Sequence, residues 1–497
     1  MDIVQFQDNL RAGKNFIFSK TITAKSLGIM ASFLKLKQNY QDIIFCESSE
    51  KVKSRGRYSI IAVSPDKKWI FQDEEITLKN LISGQDQVVT TEPIAHLKAI
   101  IAEDKISDFN GLPVMAAGWF GYLGYDMVKY YDNIQIQSKG DIIPDSYFIR
   151  PEVILIFDNL EQKLHISLPI WAQEVQANDL YEKKHTLMQK IESHIVGAGS
   201  SRPESINIVG AGSSRPESHD NFTSYPTKSD YISIIAKCKD YIREGEVFQI
   251  VPSRRFETDF TLDPACFYQA LREINPSPFL FYYGFDDFVI TGSSPEIMVR
   301  IDEDNVTIRP LAGTRKRGNS EAEDIEIAEE LLSDPKEVAE HLMLLDLGRH
   351  DVGRVAVNST VRVLSQMVIE YYSHVMHISS TVTGKLRPDL TALDALLAGF
   401  PAGTVTGAPK IRAMQILAEL EQFKRGFYAG CIGYFSANGE NMDMAITLRT
   451  ALIKDQKLYI QAGAGVVYDS DPVEEYLETE RKAAALLEAC RQAILYQ

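Results

Sequence analysis

The chain has 497 residues, of which 45% are hydrophobic and 24% are charged, a composition typical of folded globular proteins. The formal net charge of −16 argues against nucleic acid or an anionic membrane surface as the main partner, although a local basic pocket could still bind an anionic substrate. The five cysteines are scattered and form no CxxC pair, which indicates free thiols in a reducing compartment. The first residues do not resemble a signal peptide and no run of about 18 apolar residues occurs, so we expect a cytoplasmic protein.

Residues 1–193 contain many short strand-like runs that helical patterns interrupt. Examples are Asp42–Cys46, Tyr58–Ala62, Val114–Tyr122 and Val153–Asp158, with a helical pattern at Ala95–Glu103. Residues 194–224 are expected to be a flexible insertion, because IVGAGSSRPES occurs twice, from Ile195 and from Ile208. Its Gly, Ser and Pro disfavour a packed element.

A second globular part, residues 225–497, mixes strands and helices. Its predicted strands are Phe248–Pro252, Phe279–Tyr283, Val289–Thr291 and Gly430–Phe435. Its predicted helices are Ser229–Glu244, Asp334–Gly348, Asp389–Ala398, Lys410–Glu421 and Pro472–Ala493. The strands come in hairpin-like groups rather than in strict alternation with helices, which favours large antiparallel sheets packed on helices.

A glycine-rich turn near the C-terminus is the most informative feature of this part. Leu458–Gln461 is a predicted strand, and Gly463 and Gly465 follow it. A backbone without a Cβ can approach a ligand closely, so the turn can present its amide groups to a substrate.

An acidic helix follows that turn. Asp471–Pro472 suits a helix start, with the aspartate as cap and the proline in the first helical position. Glu475, Glu478 and Lys482 then share one face of the helix. Acidic residues near a helix start are also common surface features, so this stretch alone does not decide between a site and a solvated face.

A second acidic helix repeats the design. Asp334–Pro335 begins it, and Glu337 and Glu340 are spaced three residues apart. Glu337 has an alternative interpretation as a helix-capping residue, whereas Glu340 precedes an apolar run that looks buried. Two helices that each offer a carboxylate pair form a plausible frame for Mg²⁺.

Two further motifs leave alternatives open. Gly403–Lys410 resembles a phosphate-binding loop but lacks the required glycine spacing and the following Ser or Thr, so a nucleotide site is disfavoured. His374 and His377 are an odd distance apart and point to opposite sides of a strand, which disfavours joint metal binding. A single buried histidine is more often structural than catalytic.

Eight ordered motifs together resemble the chorismate-utilising enzymes, and in particular their anthranilate synthase large subunits. The motifs are Phe248–Phe256, Asn275–Tyr282, Gly292–Glu296, Arg309–Arg315, Glu340–Arg349, His374–His377, Gly403–Lys410 and Gln461–Gly465. The resemblance is strongest over Ser229–Gln497 and continues more weakly into Asp42–Ser64 and Ala116–Asp132. The expected fold is α+β, with two large, mainly antiparallel sheets packed on helices in a layered β/α/α/β arrangement.

The resemblance implies a Mg²⁺-dependent conversion of chorismate and ammonia to anthranilate and pyruvate, the first committed step of tryptophan biosynthesis. It implies a catalytic group formed by Glu296, His377, Thr404, Gln249 and Glu337. The implied substrate-binding residues are Gly313, Thr314, Tyr428, Arg449, Gly463, Gly465 and Lys482, and the implied metal ligands are Glu340 and Glu478. Glu296 matches the family's general acid, and His377 matches the histidine of the elimination stage.

Two positions separate this chain from its relatives. Isochorismate and salicylate synthases resemble the family but carry a lysine base in place of Gln249, which cannot act as a base. Aminodeoxychorismate synthases of the common type carry a nucleophilic lysine in place of Ala312. Gln249 and Ala312 together therefore point to direct attack by ammonia. The family often has Asn where His350 stands, and we expect His350 to be structural or supporting rather than catalytic.

The resemblance also implies a feedback site for tryptophan. Its expected residues are Glu47, Ser48, Asn275, Pro276, Pro278, Leu280, Phe281 and Gly292. No sequence context for a glutamine amidotransferase nucleophile is recognisable, so ammonia from glutamine would come from a separate small subunit, component II. The family implies a heterotetramer of two large and two small subunits.

Overall fold

The computed structural model describes residues 1–25, 27–48, 56–132, 134–136, 142–172, 179–196, 222–372 and 375–497. The α-helices within these residues are α1 (Ile3–Arg11), α2 (Ile29–Lys37), α3 (Pro93–Glu103), α4 (Leu180–Val196), α5 (Lys228–Arg243), α6 (Pro264–Ile274), α7 (Glu321–Ser333), α8 (Pro335–Val355), α9 (Ala392–Gly399), α10 (Lys410–Leu420) and α11 (Pro472–Gln492). Most of the predicted insertion, residues 197–221, lies outside the described residues.

The strands before residue 200 are β1 (Phe16–Thr23), β2 (Ile43–Glu47), β3 (Tyr58–Gln72), β4 (Glu75–Asn80), β5 (Gln85–Val89), β6 (Gly118–Leu123), β7 (Ser146–Asp158) and β8 (Lys163–Ile170). Those between residues 220 and 320 are β9 (Thr223–Tyr225), β10 (Gln249–Ile250), β11 (Ser253–Asp259), β12 (Phe279–Gly284), β13 (Phe288–Ser294), β14 (Ile297–Asp302), β15 (Asn305–Ile308) and β16 (Leu311–Lys316). The last are β17 (Arg362–Tyr371), β18 (Val375–Lys385), β19 (Gly407–Ala408), β20 (Cys431–Ser436), β21 (Met442–Ile446), β22 (Thr450–Lys454) and β23 (Lys457–Gly463).

Two antiparallel sheets share the long strands β3 and β7. The first sheet has the order β9–β11–β23–β22–β13–β12–β2–β3–β7–β8–β1. The second has the order β5–β4–β3–β7–β6–β20–β21–β14–β15–β18, and β16 and β17 also pair with β18. Each sheet therefore joins a block of strands from the first half of the chain to a block from the second half, through β2–β12 in the first sheet and β6–β20 in the second.

The α+β class and the large antiparallel sheets are as predicted, but the predicted layer order is wrong. The inner faces of the two sheets pack directly on each other through strand residues such as Ile44, Phe120, Ile154, Phe281 and Ile432. One outer face is covered by α1, α2, α4, α6 and α11, and the other by α3, α8, α9 and α10. The helices are outside because each has one apolar face, whereas the central strands are apolar on both.

Both acidic helices begin as predicted. The Asp334 carboxylate accepts hydrogen bonds from the amides of Lys336 (3.0 Å) and Glu337 (3.4 Å). The Asp471 carboxylate caps α11 in the same way, at 2.9 Å from the Val473 amide. No helix in the described part of the chain is long and apolar enough to cross a membrane.

Candidate active site

A short two-stranded ribbon places Gln249 at the centre of the site. Gln249 pairs with Ala408, so β10 lies against the loop that follows Thr404. The Gln249 side-chain amide donates a 2.8 Å hydrogen bond to Glu340 Oε1 on α8. A Cβ on Gly465 would lie 2.9 Å from Gln249 Nε2, so a glycine is needed for the turn to approach this pair. The glycine turn and α8 thus meet at the side chain of Gln249.

Glu296 and Thr404 form a buried pair between β13 and the 3₁₀ turn Gly403–Val405. The Thr404 hydroxyl donates to the Glu296 carboxylate at 3.2 Å, and Glu296 is only 5% exposed. Burial raises the pKa of Glu296 to about 8, against the opposing effects of the Leu311 amide, Thr404, Arg309 and Lys482. Glu296 therefore carries its proton at neutral pH, as a general acid must.

His377 on β18 is held by the turn that contains Gly313 and Thr314. Its Nδ1 lies 2.9 Å from Thr314 Oγ1 and 3.2 Å from the Gly313 carbonyl oxygen. A carbonyl only accepts, so this contact requires a proton on Nδ1 and leaves the Nε2 lone pair available in the neutral ring. Burial, followed by the charge of Arg449, lowers the pKa of His377 to about 4. Gly313 has φ of +74°, which suits glycine at this turn.

Glu337 is held at the rim of the site by Arg315 on β16. Arg315 Nη1 lies 2.9 Å from Glu337 Oε1, and the same guanidinium pairs with Glu330 and Asp334. Glu337 Oε2 would be 3.2 Å from a Cβ on Gly313, so it also borders the turn that holds His377. The capping interpretation of Glu337 is not realised, since its carboxylate pairs with Arg315.

Lys482, like Lys336, acts on carboxylates of both acidic helices. Its Nζ is 3.7 Å from Glu478 Oε1 and donates a 3.1 Å hydrogen bond to the Gly463 carbonyl. The Lys482 charge also lowers the pKa of Glu296, Glu340 and His377. α8 and α11 therefore present their acidic faces to a common space.

The carboxylate oxygens of Glu340 and Glu475 are of the ligand type that a hard divalent cation prefers. Burial, opposed by the Gln249 hydrogen bond and aided by the charge of Glu337, raises the pKa of Glu340. Burial also raises the pKa of Glu475, and Glu478 adds to that shift. The buried amide oxygen of Gln249 has no hydrogen-bond partner within the described residues, which leaves an oxygen acceptor beside Glu340.

Glu478 is turned towards cations of its own helix. Arg481 Nε lies 3.0 Å from Glu478 Oε2, in addition to the Lys482 contact. No group of three or more His, Cys, Asp or Glu side chains within metal-binding reach occurs among the described residues. The structure thus brings Glu340 and Glu478 to the same space without closing them into a cage.

Arg449 lies near His377, and Tyr428 lies against Gly463. Arg449 has no ion-pair partner among the residues described, and burial lowers its pKa. The Gly463 amide donates to the Tyr428 oxygen, which ties this ring to the glycine turn. The predicted substrate residues Gly313, Thr314, Tyr428, Arg449, Gly463, Gly465 and Lys482 all border the groups described above.

A separate cavity of about 440 Å³ lies between the two sheets. Five of the eight predicted effector residues line it, namely Glu47, Ser48, Pro278, Leu280 and Phe281. Gly292 pairs with Phe281 in the next strand, and Asn275 donates to Ser293, so both support the wall rather than form it. Pro276 is not among the lining residues.

Several supporting residues escaped the sequence analysis. His341, completely buried, contacts Ser380 at 2.6 Å, and Lys410 forms a buried 2.9 Å ion pair with Asp351. His341 directly follows Glu340, and Lys410 ends a motif already singled out, so both positions carried a signal. His350 is exposed on α8, in agreement with a non-catalytic role, and His374 lies outside the described residues.

The chain is similar to known proteins over nearly its whole length. Residues 43–488 match the chorismate binding enzyme family. The chain is 44% identical to anthranilate synthase component 1 of Cereibacter sphaeroides, over 99% of this chain and 97% of that protein. It is 42% identical to the Aquifex aeolicus protein of the same name, over 93% and 91%. The crystal structure of anthranilate synthase component I from Streptococcus pneumoniae is similar, with a TM-score of 0.75, 36% identity and coverage of 94% of this chain and 99% of that one. The chain therefore belongs to the chorismate binding enzyme family, among its anthranilate synthase component 1 members.

Proposed function

We propose that this chain converts chorismate and ammonia to anthranilate and pyruvate. The observation that carries the proposal is the buried, protonated Glu296, which accepts a hydrogen bond from Thr404 and lies beside a space that also contains Gln249, His377 and Lys482. Chorismate has two carboxylates and a ring hydroxyl that must leave, so it needs an acid and cations together. The names of the similar proteins point to the same reaction.

The first stage is attack by ammonia with loss of the ring hydroxyl. Ammonia forms a bond to ring carbon 2 while the bond from carbon 4 to the hydroxyl breaks. Hydroxide is a poor leaving group, and the Glu296 proton allows it to leave as water. The unpartnered amide oxygen of Gln249 can accept a hydrogen bond from ammonia and so orient its lone pair.

The second stage eliminates pyruvate and makes the ring aromatic. The proton at carbon 2 is removed, the bond between the ring and the enolpyruvyl oxygen breaks, and the released enolpyruvate takes up a proton at its methylene carbon to become pyruvate. His377 is neutral at the pH of the reaction, and its Nε2 lone pair is available because Nδ1 donates to the Gly313 carbonyl. His377 therefore fits the role of the group that receives this proton.

The substrate carboxylates are assigned to the cations of the site. Arg449 can bind one carboxylate through both oxygens, with Tyr428 and the Gly465 amide nearby. Lys482 adds a second positive charge. Mg²⁺, when bound by Glu340 and Glu478 with Glu337 and Glu475 adjacent, supplies the charge that neutralises the ring carboxylate.

Partners and regulation follow from the same proposal. The component 1 name of the similar proteins implies a second component, which would deliver ammonia from glutamine in a heterotetramer of two large and two small subunits. Tryptophan would bind the cavity between the sheets and inhibit the reaction. We place the protein in the cytoplasm, with residues 1–193 contributing to the effector site and residues 225–497 carrying the active site.

Anthranilate fluorescence from the purified chain tests the proposal directly. Chorismate, Mg²⁺ and ammonium at mildly alkaline pH should give a rising signal that EDTA abolishes. Pyruvate release with a different aromatic product would instead indicate a sister reaction on chorismate. No turnover under these conditions, with or without a component II protein, would refute the proposed activity.

A further inference from the structure

A buried ion pair outside the substrate space joins the segments that carry the catalytic groups. Arg425 is 1% exposed and Glu421 is 8% exposed. Arg425 Nε lies 2.7 Å from Glu421 Oε2, and Nη2 lies 2.8 Å from Glu421 Oε1. The two residues directly follow the end of α10 and are four positions apart.

The Arg425 guanidinium also binds two backbone carbonyls. Nη1 donates to the Val405 carbonyl at 2.7 Å, and Nη2 donates to the Val251 carbonyl at 2.6 Å. Val405 directly follows Thr404, and Val251 lies two residues after Gln249. The guanidinium thus fixes the distance between the loop of Thr404 and the ribbon of Gln249.

Glu421 and the face of the guanidinium reach two further segments. Glu421 Oε1 accepts from both the amide and the hydroxyl of Ser253, each at 2.7 Å. Ser253 pairs with Gly463 in the first sheet, which sets the start of the glycine turn. The Arg425 guanidinium also lies 5.7 Å from the centre of the Tyr428 ring.

From these contacts we infer that Arg425 and Glu421 are positioning residues for the reaction, which hold the segments of Gln249, Thr404, Tyr428 and Gly463 in register. The inference rests on the proposed function, because the register matters only if these groups act together. A purely structural pair would need to satisfy only its own buried charges. This pair instead makes four hydrogen bonds to backbone and side-chain groups of the segments that carry the site residues.

Arg425→Lys tests the inference, because lysine keeps the charge but loses the planar fork that holds both carbonyls. Misplacement of reacting groups by about 1 Å costs on the order of 10²-fold, so we expect kcat to fall about 10- to 100-fold in the ammonium reaction. Arg150→Lys is the matched control. Arg150 is equally buried and pairs at 2.7 Å with Asp66 and Asp104, neither of which is among the site residues described above.

Kinetics and thermal unfolding are compared for both variants and the wild type. Equal loss of kcat in Arg425→Lys and Arg150→Lys at matched stability would overturn the inference. Combining Arg425→Lys with Thr404→Val should cost less than the product of the single effects, because both act on the same hydroxyl. A full product of effects would also contradict a positioning role.

A double variant and a measurement of wild-type turnover complete the experiment. If Arg425→Lys does not fold, the Glu421→Gln/Arg425→Gln double variant removes both charges together and leaves no unpaired ion. It should fold with a reduced kcat, and wild-type kcat in it would refute the inference. Wild-type turnover is measured first, so an inactive wild type refutes the proposed function, whereas an active one with unaffected variants refutes only the positioning role.

Discussion

The side-chain amide of Gln249 donates a 2.8 Å hydrogen bond to the carboxylate of Glu340, across the space between the β10–β19 ribbon and α8. The amide keeps its oxygen unpartnered, and its hydrogen bond opposes the burial that raises the pKa of Glu340. An uncharged neighbour leaves Glu340 free for a cation, whereas a lysine at position 249 would neutralise it.

Gln249→Lys should therefore lose anthranilate formation by at least about 10-fold, because its ammonium would pair with Glu340 and no acceptor would remain for ammonia. Product chromatography with chorismate measures the change and would show any ring product that arises from water instead. Gln249→Met keeps the size but neither charge nor hydrogen bond, and serves as the control. Unchanged anthranilate formation in Gln249→Lys would rule out the assigned role.

Glu340→Gln should abolish Mg²⁺-dependent turnover, because an amide oxygen is a weaker ligand for a hard cation than a carboxylate. The measurement is a Mg²⁺ titration of the ammonium reaction, with Mg²⁺-dependent thermal stabilisation as a second readout. Glu474→Gln is the control, since Glu474 is exposed on α11 and pairs only loosely with Arg481 at 3.6 Å. An unchanged Mg²⁺ midpoint in Glu340→Gln would remove Glu340 from the metal site.

Glu296→Gln should reduce kcat by about 10²- to 10⁴-fold, the usual contribution of a general acid. The wild-type rate should fall as pH rises through about 8, since the Glu296 acid then loses its proton. A wild-type rate that does not fall near pH 8 would contradict the role of Glu296 as the general acid. Free ammonia must be held constant across the profile, because its own ionisation changes in the same range.

The same substitution should change stability with pH in a defined direction. The folded pKa of Glu296 lies above its ordinary value of 4.5, so wild type loses stability from this group as pH rises from about 4.5 to 8. Glu296→Gln has no such loss, and its melting temperature should exceed that of wild type most at pH 9. A constant difference between pH 5 and pH 9 would contradict the buried, protonated state.

Arg449→Lys should raise the KM for chorismate by about 10- to 100-fold, because a lysine cannot bind a carboxylate through two parallel hydrogen bonds. Arg243→Lys on α5 is the control, because Arg243 is 55% exposed and pairs with Asp240 on the same helix. Steady-state kinetics at saturating ammonium separate KM from kcat. If KM stays within about 2-fold while kcat alone falls, Arg449 does not bind the substrate carboxylate.

Glu47→Gln should weaken inhibition by tryptophan about 10-fold relative to any change in KM. The Glu47 carboxylate lines the cavity between the sheets, accepts a 2.8 Å hydrogen bond from the Tyr268 hydroxyl and forms an ion pair with Arg272. The amide keeps the shape but loses the charge that would face the tryptophan ammonium. The measurement is the inhibition constant of tryptophan for wild type and for Glu47→Gln. Absence of inhibition in wild type at millimolar tryptophan would refute the effector site.

The elements of the site could be predicted where local signals agree. Asp334 and Asp471 cap their helices as expected, and Leu458–Gln461 lies within β23. Helix α8 runs to Val355, beyond the predicted Gly348, because that glycine packs against strands and does not end the helix. Phe248–Pro252 forms only a two-residue strand, since the ribbon partner Gly407–Ala408 is equally short.

The parts that could not be predicted depend on contacts between distant segments. The layer order follows from which faces of the sheets meet, and alternation within one strand does not reveal its partner. Arg481 and Lys482 pair with Glu478 on the same helix, so their spacing in the sequence was enough to predict these contacts. The role of Arg425 could be recognised only from its hydrogen bonds to the carbonyls of Val251 and Val405. Those two carbonyls have no side-chain signature in the sequence.

The pairing of β6 with β20 affects how the chain folds during synthesis on the ribosome. β6 pairs with β20, whose residues lie about 300 positions later, so this edge of β6 stays open while the intervening chain is made. At roughly 5 to 20 residues per second that interval is about 15 to 60 s. Open apolar strand edges attract other chains. Nascent chains of this protein should therefore depend on chaperones far more than the stability of the finished fold would indicate.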